Sequence, residues 1–171
     1  MSSRPRIVLI GPPASGKTKI GRELAKKLDE RFVDTDVLIA AQWGPIPEIF
    51  ATRGEDWFRE KEAEIVRDSL VESGVLSLGG GAVITESTRE ALAGHPVALL
   101  MISEEAVGHR VTHSAKRPLL TDGIESWKKL VQARMPWYRE CAAVEIDVSH
   151  RSPEDVASEL VSWLEARENH G

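Results

Sequence analysis

Gly11-Pro12-Pro13-Ala14-Ser15-Gly16-Lys17-Thr18 decides the fold of this chain. The stretch fits G-x-x-x-x-G-K-[ST], the phosphate-binding P-loop, and its flanks supply the context that motif needs. Before it, Ile7-Val8-Leu9-Ile10 is a short apolar run that suits a parallel strand buried on both faces. After it, Ile20, Leu24 and Leu28 recur at helical spacing, with Ala25 beside them. In a strand–loop–helix of this kind the N–H groups of residues 14–19 and the helix N-terminus converge on phosphate oxygens. Ala14, Ser15, Gly16 and Lys19 thus belong to the nucleotide site by position. Lys17 would reach the β- and γ-phosphates, and the Thr18 hydroxyl would hold Mg²⁺.

Composition sets the bounds. A chain of 171 residues has room for one domain with a sizeable core, so residues 1–171 are taken as one unit. Hydrophobic content of 42% with 29% charged residues describes an ordinary soluble globular protein. A net charge of −5 argues against nucleic acid or an anionic membrane as partner. Arg4 and Arg6 precede only four apolar residues, too few for a signal-peptide core, and the run from Pro96 to Ile102 is far below a membrane span. The one cysteine, Cys141, has no partner for an internal disulfide and reads as a small apolar filler rather than a nucleophile. Together these features predict a soluble, cytoplasmic protein.

Taken in order, the chain alternates strands and helices. Arg31-Phe32-Val33 runs into Asp34-Thr35-Asp36, and Val37–Ala41 reads as a short helix. Gly44-Pro45 and Pro47 break the chain before a helical piece around Ile49-Phe50. A helix follows over Glu55–Glu72, with Phe58, Ile65, Val66 and Leu70 on its apolar side. Val75–Leu78 is a buried strand ending in Gly79-Gly80-Gly81; Thr85–Ala93 is a helix; Val97–Ile102 is another buried strand. Residues 109–123 are polar and basic without periodicity, as a mobile lid would be. Ile124–Ala133 is helical and interrupted by Pro136, Val144–Val148 alternates like an edge strand, and Ser152-Pro153 opens a last helix. Five strands alternating with helices predict a parallel α/β sandwich, with ligands beyond the carboxyl ends of the strands.

Chemistry-bearing residues collect at those ends. Asp34 and Asp36, one residue apart, point the same way if the backbone is extended. One could bind Mg²⁺ while the other takes a proton from a hydroxyl nucleophile; equally, Asp36 could simply cap the helix at Val37. No other strand ends in an apolar run followed by Asp, which leaves Asp34 as the best second metal contact. Three glycines at 79–81 permit close approach of backbone to a ligand, where a plain turn seldom needs so many. Arg59 lies between Glu55 and Glu62 at helical spacing, which by itself describes a surface ion pair. Arg110 and Arg117 fall in the basic stretch, either a lid over the triphosphate or a solvated loop.

With V-D-T-D at 33–36, G-E-x-x-F-R-x-x-E pattern positions at 54–62, L-G-G-G-A-V at 78–83, R-P-L-L at 117–120 and R-x-P-x-Y at 134–138, the chain resembles the shikimate kinases. These blocks and the P-loop span residues 11 to about 155. The resemblance implies a P-loop NTPase fold with a five-stranded parallel sheet of order 2-3-1-4-5, a substrate-binding region at about 34–62, and a lid at about 109–123. It also implies ATP-dependent phosphorylation of the shikimate 3-hydroxyl with Mg²⁺, by a monomer. Asp36 would then meet the ring hydroxyls as base or orienter, and Arg59 and Arg134 would hold the carboxylate. Gly79, Gly80 and Gly81 would pack against the substrate, Arg117 would reach ATP phosphates, and Arg110 with Arg151 to Pro153 would flank adenine. Two positions depart from the family pattern: Ala14, usually Gly, and Lys19, usually a small hydroxyl residue. Ala14 restricts the loop backbone, and Lys19 either adds charge near the phosphates or points to solvent. A related P-loop kinase for another polyhydroxy acid such as gluconate is the alternative within enzymes. A GTPase-like or non-catalytic nucleotide-binding regulator is disfavoured, because no N-K-x-D segment is present and both aspartates are.

Overall fold

The computed structural model describes residues 3–112 and 123–170. Strand β1 (Pro5–Ile10) feeds the P-loop and helix α1 (Lys17–Leu28). Strand β2 (Phe32–Asp34) is followed by α2 (Thr35–Trp43), α3 (Ile46–Arg53) and α4 (Glu55–Ser69). Strand β3 (Gly74–Ser77) leads through a 3-10 turn at Ala82–Ile84 to α5 (Glu86–Leu92). Then come β4 (Val97–Met101), α6 (Glu104–Thr112), α7 (Gly123–Cys141), β5 (Val144–Asp147) and α8 (Pro153–Asn169).

The sheet has the order β2-β3-β1-β4-β5, and every pairing in it is parallel. Residues along the central strands alternate between two cores, as a period of two demands. Ile7, Leu9, Val75, Ala98 and Leu100 face α1, α6 and α8, where Leu24, Val107 and Leu160 meet them. Val8, Ile10, Leu76, Leu78 and Leu99 face the other way, onto Val66 of α4, Leu92 of α5 and Tyr138 of α7. Burial on both faces is why these strands read as unbroken apolar runs. The edge strand β5 instead buries Ile146 and exposes Glu145 and Asp147. A third, smaller cluster of Ile39, Ile49 and Phe58, edged by Trp43, Phe50 and Trp57, holds α2, α3 and α4 together beside the sheet.

The direction of winding changes at β1: β2 and β3 lie on one side of it, β4 and β5 on the other. The loops after β1, β2 and β3 therefore open at one switch point, where a ligand crevice forms.

Three sequence expectations change. Helix α7 is not interrupted at Pro136 but continues through it to Cys141. A proline there removes the bond to the carbonyl of Gln132, at a cost of about 3 kcal/mol in a helix interior. Both Gln132 and Pro136 are exposed, so water can serve that carbonyl, while buried Val131 and Tyr138 anchor the helix on either side. The stretch expected to be aperiodic from residue 109 begins as the last turn of α6, which ends at Thr112. Finally, the backbone is not extended from Asp34 to Asp36: α2 already starts at Thr35. Arg117 and the greater part of the expected lid lie outside the described residues. Among the described residues no helix is long and apolar enough to cross a membrane.

Candidate active site

The P-loop closes over the end of β1 with its carbonyls tied down. Lys17 Nζ donates to the carbonyls of Gly11 at 2.8 Å and Pro12 at 3.2 Å. The Pro12 carbonyl also accepts the Ser15 N–H at 3.3 Å. Gly16 caps α1 with φ +83°, a left-handed conformation that favours glycine. Ala14 holds φ +73° as well, so the residue that departs from the family pattern sits where the backbone strains a Cβ. Ser15 is fully buried and its hydroxyl has no hydrogen-bond partner among the described residues, which leaves its backbone N–H as its contribution to the loop.

Beneath the loop lies a cleft of about 760 Å³, lined among others by Ala14, Gly16, Lys17, Thr18, Lys19, Asp34, Asp36, Gly79, Gly80, Arg110, Arg151 and Pro153. The structure thus brings together most of the residues singled out from sequence. Lys19 lines this cleft and is exposed. Arg151 is oriented by Asp155 at 2.7 Å and Glu159 at 2.8 Å, both on α8. Arg110 donates to the Ala14 carbonyl at 2.8 Å.

Of the two aspartates it is not Asp36 that caps the helix, the alternative left open by the sequence. The cap is Asp34: its Oδ1 accepts the Asp36 N–H at 2.9 Å. An Asp before a helical start is favoured for this reason. Its other oxygen, Oδ2, accepts the Thr18 hydroxyl at 3.3 Å. Asp36 lies in the first turn of α2, and its carboxylate is left for the cleft. Burial first, and the Asp34 charge second, push the Asp36 carboxyl above the usual carboxylate range; Lys17 and Arg59 pull it partly back.

The glycine triplet is a matter of clearance. A Cβ on Gly79 would stand 2.5 Å from Asp36 Oδ1, and one on Gly81 would stand 2.6 Å from both terminal nitrogens of Arg59. The chain at 79–81 is therefore the floor on which the aspartate and the arginine lie. Tyr138 of α7 pins this floor, its hydroxyl donating to the Gly80 carbonyl at 2.5 Å.

Arg59, Gly81 and Arg134 do not line the main cleft; Arg59 lies against Gly81, one residue past the cleft-lining Gly80. Arg59 is no surface ion pair. Its guanidinium bonds Glu62 at 2.9 Å, and the Glu62 side chain is only 2% exposed. Burial raises the Glu62 carboxyl above its ordinary value, while Arg59 beside it and Arg134 further off lower it. Arg134 also acts on Tyr138, whose hydroxyl burial pushes up and the charges of Arg134 and Arg59 pull down. Guanidinium groups from α4 and α7 thus both act on Glu62 and Tyr138, and Arg59 acts on Asp36 as well. Sequence reasoning passed over Glu62 and Tyr138; both stand inside the motifs quoted for Arg59 and Arg134, and only their burial marks them. The Cys141 thiol is pushed up to about 11, chiefly by burial, which makes it the inert filler expected.

Thr18 and Asp34, two hard oxygen donors 3.3 Å apart at the foot of the P-loop, are the residues that could hold a divalent cation. No cluster of three or more His, Cys, Asp or Glu exists among the described residues. A site with one or two protein oxygens fits Mg²⁺, which takes its remaining ligands from water and nucleotide phosphates.

A P-loop at the switch point of a parallel sheet, a hydroxyl–carboxylate pair at its foot and a desolvated carboxylate facing it define a P-loop kinase of the small-molecule class. The shikimate kinase family model matches residues 13–165. The chain belongs to the shikimate kinase family. It is 49% identical over 166 residues to the shikimate kinase of Mycobacterium avium strain 104, covering 95% of this chain and 94% of that protein. With the shikimate kinase of Rhodococcus erythropolis the identity is 45%, over 95% of this chain and 98% of the relative. Among solved structures, the shikimate kinase from Acinetobacter baumannii in complex with shikimate superposes with a TM-score of 0.84 at 31% identity, covering 96% of this chain and 94% of that one. A gluconokinase from Sinorhizobium meliloti, at 19% identity and a TM-score of 0.66, shares the fold.

Proposed function

We propose that this enzyme transfers the γ-phosphoryl group of ATP to the 3-hydroxyl of shikimate, giving 3-phosphoshikimate and ADP. The observation that carries the reading is the placement of Asp36: it lines one cleft with Lys17 of the phosphate loop and rests on the glycine triplet that also carries Arg59, and it feels the charge of both. A substrate whose carboxylate is held by Arg59 and Arg134 would present a ring hydroxyl to Asp36 and, past it, to the phosphate loop. A planar carboxylate and a guanidinium fork match in geometry, and that match supports a carboxylate-bearing substrate.

In the reaction the substrate oxygen forms a bond to the γ-phosphorus, its proton passes to Asp36, and the bond from phosphorus to the β–γ bridging oxygen breaks, releasing ADP. Desolvation suits Asp36 to the base role, because a raised pKa improves its driving force as proton acceptor. Lys17 stabilises charge on the β- and γ-phosphate oxygens, and the loop N–H groups of residues 14–19 orient them. Arg110, Arg151 and Pro153 line the same cleft and would flank the nucleoside. Arg117 keeps its sequence-based assignment to the ATP phosphates. Thr18 and Asp34 would hold Mg²⁺, which supplies neutralisation of the phosphate charge. One chain carries all these groups, so a monomer suffices, and an unpaired, protonated Cys141 suits the reducing cytoplasm.

The test is turnover in an ADP-coupled assay with shikimate, gluconate and other hydroxy acids. Shikimate should exceed every other acceptor in kcat/KM by at least about 10²-fold, the discrimination that a matched polar site achieves. Gluconate turnover equal to that of shikimate would transfer the assignment to the other kinase.

A further inference from the structure

The P-loop has a partner outside the cleft. Trp127, in the second turn of α7, donates its indole N–H to the Pro13 carbonyl at 2.9 Å. Its ring packs on the same apolar cluster as Ala14, so the contact is seated rather than loose. The next carbonyl, that of Ala14, accepts from Arg110 of α6. Those of Gly11 and Pro12 are taken by Lys17. Four consecutive carbonyls of the loop are therefore held, two of them by helices α6 and α7. These helices are themselves joined by Lys128 and Glu104 at 3.4 Å.

The consequence follows from peptide planarity. In a trans peptide the C=O and the following N–H point in opposite directions. Trp127 does not line the cleft, whereas Ala14 does. A Pro13 carbonyl drawn towards α7 turns the Ala14 N–H towards the cleft. Ala14 needs such help: at φ +73° it occupies a conformation that costs a residue with a Cβ about 1–2 kcal/mol, so a released loop would relax away from it.

We infer that Trp127 is a positioning residue for the nucleotide, its indole N–H holding the Pro13–Ala14 peptide so that the Ala14 N–H faces the phosphates. The inference rests on the phosphate site at residues 11–18 and not on the identity of the acceptor. Its test therefore reads nucleotide binding directly.

The experiment is calorimetric titration of the protein with Mg·ADP, alongside steady-state kinetics with ATP and shikimate each varied. Trp127→Phe keeps an aromatic ring on the cluster and removes the N–H. Loss of one neutral hydrogen bond corresponds to roughly 3–10-fold in an equilibrium constant. The Kd for ADP and the KM for ATP should rise by about that factor, with the KM for shikimate unchanged. A second substitution places 3-benzothienylalanine at position 127, which keeps the bicyclic shape and puts sulfur where the N–H was. It should weaken ADP binding as Trp127→Phe does. A change of less than about threefold in ADP binding overturns the inference. So does normal binding by the benzothienyl protein beside a weakened Phe variant, which would assign the effect to packing alone. Equal losses towards ATP and shikimate, with a collapsed melting temperature, would likewise overturn it. If no hydroxy acid is phosphorylated but ADP binding still depends on the N–H, the acceptor assignment fails and this inference stands.

Discussion

At the scale of single residues, Asp36 works against the stability of its own fold. Its carboxyl, and that of Glu62, are raised by burial in the folded protein. A carboxyl with a raised folded pKa holds its proton more firmly in the native state than in the unfolded chain. Its favourable contribution is complete below the unfolded value near 4 and is lost as pH rises through the folded value. Above that folded value the charged form of each group is held at a cost. Asp36→Asn should lower kcat by roughly 10²-fold or more, as loss of a positioned base does. The same variant should melt higher than wild type at pH 7, with the gap narrowing towards pH 4. A kcat within about threefold of wild type would remove Asp36 from the base role. Ala14 offers the converse test. Replacing it by Gly relieves about 1–2 kcal/mol of left-handed strain and returns about 0.4–1 kcal/mol of chain entropy to the unfolded state. Ala14→Gly should gain on the order of 0.5–1 kcal/mol, seen as a melting temperature raised by roughly 1–4 °C. An unchanged or lower value would show that the surrounding loop already absorbs the strain.

At the scale of elements, the site is made by a strand end, two helix starts and one helix crossing. The segment after β3 has to pass beneath both Asp36 and Arg59, and only glycine leaves room there. Gly81→Ala would drive a methyl group against the Arg59 guanidinium, which Glu62 and Glu55 hold from the other side. The variant should raise the KM for shikimate by about tenfold or more while leaving ADP binding within about twofold of wild type, because the P-loop is not displaced. Equal damage to both ligands would mean that the triplet shapes the cleft as a whole. Spacing made this element partly legible: three glycines after a buried strand announced a close approach. It did not announce what approached, because Asp36 lies on α2 and Arg59 on α4, and their meeting depends on how those helices fold back across the small cluster of Ile39, Ile49 and Phe58.

At the scale of the molecule, an acidic protein with net charge −5 takes anionic ligands, so recognition must be local. The two arginines proposed for this come from residues 59 and 134, on separate helices, and come near one group, Glu62, only in the tertiary structure. A charge-assisted hydrogen bond contributes about 1.5–3 kcal/mol. Arg134→Ala should therefore reduce kcat/KM for shikimate by roughly 10²–10⁴-fold. Shikimate methyl ester, which keeps every hydroxyl and loses the charge, should show a similar loss with the wild-type enzyme. On the ester the mutation should cost little more, since the contact is already gone. Equal penalties on acid and ester would show that Arg134 is not a carboxylate clamp.

The sequence by itself determined whatever depends on near neighbours. The P-loop, the doubly buried strands and the strand–helix alternation are local patterns, and steric and hydrogen-bonding rules act on them within a few residues. The motif blocks carried the family and, with it, the strand order that the sheet shows. Tertiary structure alone decided the rest. It made Asp34 the cap and freed Asp36, because helix α2 starts one residue past the strand. It turned Arg59 from an ion pair on a helix surface into a braced, desolvated group, because Glu62 is sealed by neighbours distant in sequence. It also carried α7 through Pro136, where buried side chains on either side outweigh one lost hydrogen bond. Burial is a sum over the whole chain, so no window of sequence contains it.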